Sequence, residues 1–179
     1  MDTESLTQYM KRDAKTKKYF KGVFACNLLP KQLEKNSLYV INLSPSHMKG
    51  SHWVLISTIN SQYSSYICSL GTKPTLENVV NSLLSVSNII VYNNYKNQGN
   101  LATVCGWHVI FTAYMLSRNH SLFEIMTSFY TSSSYINDRA IVEIISTHFR
   151  IRELIPISDW NFIFSRRESD GSKTKGPKL

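Results

Sequence analysis

The sequence predicts an α+β domain, and three observations carry that prediction. Segments rich in β-branched and aromatic residues fall at 37–43, 51–59, 63–68 and 88–92, separated by Ser, Asn, Gly and Pro. An apolar run with helical spacing starts at Cys105, after a polar loop. Further helical segments lie at the N-terminus and after residue 120.

Residues 3–12 predict a short helix with Thr3 or Ser5 as N-cap. Six basic residues then fall between Lys11 and Lys21 against one acid, Asp13. Lys11, Arg12, Lys15, Lys17 and Lys18 are candidate phosphate contacts, although a solvated face is the plainer reading of such a run. Tyr19 to Phe24 is an aromatic segment that anchors this region on the core, and Pro30 to Asn36 is a connector. The strand at 37–43 leads into a loop over 44–50. The next strand opens with Ser51-His52-Trp53 and runs to Ile59, and a third covers Tyr63 to Cys68. Thr75 is placed to cap a helix over roughly 76–85. After the strand at 88–92, the polar NNYKNQGN reaches Cys105. In the helix from Cys105 to Arg118, Val109, Ile110, Ala113, Met115 and Leu116 make a buried stripe. Two more helices are expected at 121–130 and 138–149, the second capped by Asn137 or Asp138. Residues 161–164 are apolar, and 165–179 are Gly, Ser and Lys-rich, the composition of a basic disordered tail. The expected organisation is therefore one domain over 1–164 followed by that tail.

The chain has 179 residues, enough to bury a core without staples. Its net charge of +8 suggests a polyanionic partner, most simply DNA, although charge alone is weak support. Cys26, Cys68 and Cys105 are an odd number without metal-ligand spacing, so neither a disulfide framework nor a zinc site is expected. The start MDTESLTQYMKRD has no apolar core of a signal peptide, and no apolar run approaches the roughly 18 residues a membrane span needs. A protein of the cell interior, not secreted and with reduced thiols, is the expectation.

The stretch from Gln98 to Cys105-Gly106 carries the chemistry. A cysteine at a helix start meets unpaired backbone N–H groups and the positive end of the helix dipole, both of which favour the thiolate. The bland alternative is a buried thiol, since free cysteine is among the most buried residue types. A nucleophile also needs a base and donors for the oxyanion. Of the five histidines, His52 is the best base, because it opens a strand beside Trp53. His47 is on a loop, His108 is inside the helix, and His120 and His148 lie near helix ends.

The order His52, Gln98, Cys105-Gly106 resembles that of adenain, the adenovirus-type maturation protease. It also resembles the related SUMO-specific proteases. His-Trp at a strand start and Gln-Gly-x-Asn-x-x-x-Cys-Gly at 98–106 carry the likeness, and it spans roughly residues 4–150. The resemblance implies a papain-like cysteine peptidase with a small central mixed sheet flanked by helices. His52 would be the base and Cys105 the nucleophile, with Gln98 and the Cys105 backbone N–H as the oxyanion hole. It also implies cleavage of capsid or virion precursors at small-residue sites by a monomeric enzyme acting in the virion and the host cell interior, from a small virus, a virophage or a virus-derived element. No cofactor is required chemically, but that family is stimulated by DNA and by a basic peptide. The chain has no cysteine just ahead of the 89–92 strand, where the family links that peptide.

One departure stands out. Where the family has an acid three residues before a glycine, this chain has Cys68-Ser69-Leu70-Gly71, and the only acid between His52 and Cys105 is Glu77. Cys68 is thus expected in the third position as a neutral thiol, giving a working but weakened dyad. The rival functions are an isopeptidase for SUMO- or ubiquitin-like proteins, and a catalytically weak binding pseudoprotease.

Overall fold

The computed structural model describes residues 1–99, 103–129 and 133–149. The chain divides into two units, Met1–Ile145 and Ser146–Leu179. Of the second unit the described part is Ser146–Phe149, where the His148 and Phe149 rings meet edge-on. The expectations for 161–164 and for the 165–179 tail, with the boundary between them, lie outside the described residues.

Five strands form one mixed sheet in sequence order: β1 Phe20–Ala25, β2 Leu38–Asn42, β3 Trp53–Ser57, β4 Ser64–Ile67 and β5 Ile90–Tyr92. The two outer pairings, β1 with β2 and β4 with β5, are parallel, and the two inner ones are antiparallel. Six helices are described: α1 Thr3–Arg12, α2 Ala14–Tyr19, α3 Glu77–Leu84, α4 Cys105–Leu116, α5 Leu122–Thr127 and α6 Ser134–Phe149. This is the α+β architecture expected, with a small mixed sheet and helices packed on it.

Alternation along the strands decides which layer each side chain joins. Tyr39, Ile41, Val54, Ile56 and Tyr66 form one buried cluster with Val79 and Leu83 of α3. The neighbours of opposite parity, Leu55 and Ile67, meet Val109 and Thr112 of α4. β2 and β3 are therefore covered on both faces, which explains their near-continuous apolar sequence. Gly106 to Ala113 of α4 are all buried, as a helix apolar on every side requires. α1 packs its fully buried Leu6 and Met10 against β1 and α4.

Several local expectations are corrected. The cap of α1 is Asp2, whose carboxylate accepts the Ser5 N–H at 2.8 Å, not Thr3 or Ser5. The basic run contains the helix α2, and the aromatic segment after it is the strand β1. α3 begins at Glu77, and neither Thr75 nor its N-cap Leu76 supplies a side-chain cap bond. Ser121 and Glu124 form a reciprocal capping box on α5. α6 starts one turn earlier than expected, so Asn137 and Asp138 are interior to it and their side chains are committed elsewhere.

Candidate active site

His52 stands immediately before β3. Its carbonyl accepts the Leu43 N–H at 2.9 Å, which extends the β2–β3 ladder by one step and fixes the histidine backbone. The preceding loop is gathered by the Asn42 side chain, which accepts from the N–H groups of Ser44 and Ser51 at 2.9 and 3.1 Å. Cys68 follows β4, the antiparallel neighbour of β3, so it reaches the same end of the sheet. Asn93, just beyond β5, clasps the Cys68 backbone, accepting its N–H at 2.9 Å and donating to its carbonyl at 2.6 Å. Gly71 closes the turn, its N–H donating to the Cys68 carbonyl at 2.8 Å. Its φ of +70°, with the Tyr95 carbonyl carbon 2.5 Å from where a Cβ would sit, leaves glycine as the residue that fits.

Cys105 is the first residue of α4. The N-cap, Val104, has no side-chain acceptor, so no cap consumes the N–H groups of the first turn. The backbone N–H groups of Trp53 and Gly106 favour negative charge on the Cys105 sulfur. Trp53 itself is half-buried, and its indole N–H donates to the Met1 carbonyl at 3.1 Å.

The fold brings both thiols to one imidazole. Cys68 Sγ lies 3.3 Å from His52 Nε2, and Cys105 acts electrostatically on the same ring. Burial disfavours charge on His52, but hydrogen bonds and negative charge from Cys105 and Cys68 outweigh it and raise the imidazole to about 9. Burial pushes the Cys105 thiol up, yet His52 and the two backbone N–H groups bring it below the ordinary range. Burial also pushes Cys68 up, and hydrogen bonds from His52 and Thr72 bring it down to about 7. Thr72 Oγ1 stands 3.1 Å from the Cys68 sulfur. Cys68, expected as a neutral thiol, is thus brought below the ordinary thiol value, because a hydroxyl four residues on shares its sulfur with the imidazole.

Gln98 is buried, and its amide oxygen accepts from the Ser69 hydroxyl at 2.6 Å. The Asn97 and Gln98 N–H groups both donate to the Ser69 carbonyl, at 2.9 and 3.0 Å. This binds Gln98 to the residue after Cys68 and fixes which way its NH₂ is presented. Gln98, His52, Trp53 and Cys105 line one open cleft of about 820 Å³.

The basic candidates Lys11, Arg12, Lys15, Lys17 and Lys18 are exposed at the end of α1 and on α2, and none lines this cleft. Among the described residues, no group of three or more His, Cys, Asp or Glu is placed to hold a metal ion. No described helix is long and apolar enough to cross a membrane. Sequence reasoning missed Thr72, Ser69, Asn93 and the pair His108–Asp138, whose side chains meet at 2.8 Å behind the Gln98 loop. A small polar residue leaves no pattern that marks it, and His108 and Asp138 meet only once the helices are packed.

No protein-family model matches the chain, and no curated protein matches it. Among solved structures it resembles a selenomethionyl crystal form of the ASFV pS273R protease, with TM-score 0.40 and 18% identity over 58% of this chain and 42% of that one. A second crystal structure of ASFV pS273R protease matches with TM-score 0.47 and 14% identity, over 75% of this chain and 64% of that one. The chain thus spans less than two thirds of each of these solved chains.

Proposed function

We propose that this chain is a papain-like cysteine endopeptidase. The observation that carries the reading is one imidazole, His52, that shares an open cleft with a thiol at an uncapped helix start and favours that thiol's charged form. The Cys105 thiolate attacks a peptide carbonyl. The oxyanion that forms is held by the Cys105 backbone N–H and the Gln98 NH₂, donors of a kind worth about 10²–10³ in rate each. Protonated His52 gives its proton to the leaving amine, which departs and leaves a thioester on Cys105. His52 then takes a proton from the water that hydrolyses the thioester. Cys68, on the far side of the ring, orients His52 and stabilises the imidazolium in place of a carboxylate.

The proposed substrates are capsid or virion precursor proteins cut at small-residue junctions, by the resemblance of the His-Trp and Gln-to-Cys motifs to adenain-type proteases. DNA and a basic peptide are proposed stimulators on the same ground, with the exposed lysines of α1 and α2 as the contacts. Action as a monomer in the virion or the host cell interior is part of the same proposal.

A panel of Gly-containing junction peptides and of fluorogenic SUMO- and ubiquitin-like substrates, each with wild type and Cys105→Ala, tests it. The expected result is cleavage of the short peptides by wild type alone. Turnover of the ubiquitin-like substrates alone would assign the isopeptidase function instead. Turnover of neither would leave the binding pseudoprotease.

A further inference from the structure

The Gln98 loop is gripped from behind by α6. Asp138 is 6% exposed, and its two carboxylate oxygens reach two different elements. Oδ2 accepts the Gly99 N–H at 2.8 Å, and Oδ1 lies 2.8 Å from Nε2 of His108. His108 is 4% exposed and stands one turn along α4 from Cys105. The preceding residue, Asn137, donates its amide to the Asn97 carbonyl at 3.3 Å. One turn of α6 therefore holds the chain on both sides of Gln98, and its carboxylate ties that same loop to the nucleophile helix.

Satisfying a buried loop does not require a charge. What Asp138 adds is a bidentate link that sets the spacing between the Gly99 N–H and His108, and through them between Gln98 and Cys105. An oxyanion donor displaced by about 1 Å loses much of its effect. We propose that Asp138 is a positioning residue, which holds the Gln98 amide in register with Cys105 while touching neither substrate nor nucleophile. This inference rests on the peptidase reading above.

The test separates the oxyanion hole from the thiol. Carbamidomethylation of Cys105 by iodoacetamide needs no oxyanion stabilisation, whereas peptide hydrolysis and the binding of a peptide aldehyde do. Asp138→Ala is expected to lower kcat per titrated thiol by about 10–100-fold and to weaken aldehyde binding by a similar factor. KM and the alkylation rate are expected to stay within about threefold of wild type, well short of the tenfold or more lost from kcat. Asp138→Asn is expected to rescue kcat, because the amide can accept from Gly99 and donate to the other tautomer of His108. If Asp138→Ala does not fold, His108→Phe keeps the ring volume and the Gly99 bond, and a smaller loss with the same split is expected. Unchanged kcat in the variant that folds overturns the inference, as does an alkylation rate that falls in step with kcat. Wild-type protein that cleaves no peptide overturns the peptidase reading itself, whereas active wild type beside an equally active variant overturns this inference alone.

Discussion

Cys68 is the residue on which the chemistry of the site turns. It lies 3.3 Å from His52 Nε2, where the proposed function would have a carboxylate, and is brought down to about 7 by His52 and Thr72 against the effect of burial. Its charge is present above about pH 7 and is lost as pH falls through that value. An aspartate there would stay ionised well below it. Cys68→Asp is therefore expected to raise kcat/KM, by about three- to tenfold at pH 6 and less at pH 8, where the wild-type thiolate is already formed. A pH profile of peptide hydrolysis checks this, and a rate unchanged or lowered across the profile would contradict it. The position of Cys68 was legible from the Ser-Leu-Gly that follows it, but its ionisation was not. That depends on Thr72 Oγ1 and on a shared imidazole, which only the turn closed at Gly71 brings together.

At the scale of elements, the strands β2 to β4 were legible because burial on both faces leaves an apolar run between turn residues. β1 was not read as a strand, because the residues before it are a basic run and its partner β2 lies across a connector. α2 is six residues long, too short to show a helical period, and its existence depends on Asp13. That carboxylate ends α1, accepts from the N–H and hydroxyl of Thr16 at 2.8 and 2.9 Å, and receives Arg118 at 2.7 and 3.1 Å. Burial raises its affinity for a proton, but Arg118 and Thr16 more than compensate and hold it well below the usual carboxylate range. Because the folded-state value is depressed, this stabilisation is present above the ordinary carboxylate pKa and is lost as pH falls through the lowered value. Asp13→Ala is expected to cost about 2–3 kcal/mol at pH 7, by the loss of a helix cap and of a partly buried ion pair. Thermal unfolding checks it. A melting temperature equal to that of wild type would show that α2 is held by something else.

At the scale of the whole molecule, the site is assembled from the ends of two strands, one helix start and two loops. The sequence names its members by order: His52, Gln98, Cys105. It cannot name the residues that hold them, because Asn93, Ser69 and Asp138 act through contacts 25 to 39 positions away in the chain. The proposed chemistry requires that this assembly keep Cys105 as a thiolate paired with protonated His52. The raised His52 and the lowered Cys105 define a window in which the pair exists: it forms as pH rises through the lowered thiol value and is lost above about 9. The most direct measurement is the rate of Cys105 alkylation against pH, read by peptide mass mapping for wild type and His52→Ala. The expected wild-type profile rises below the ordinary thiol range of about 8.5 and moves up to it in His52→Ala. A wild-type profile centred on an ordinary thiol and unaffected by loss of His52 would contradict it.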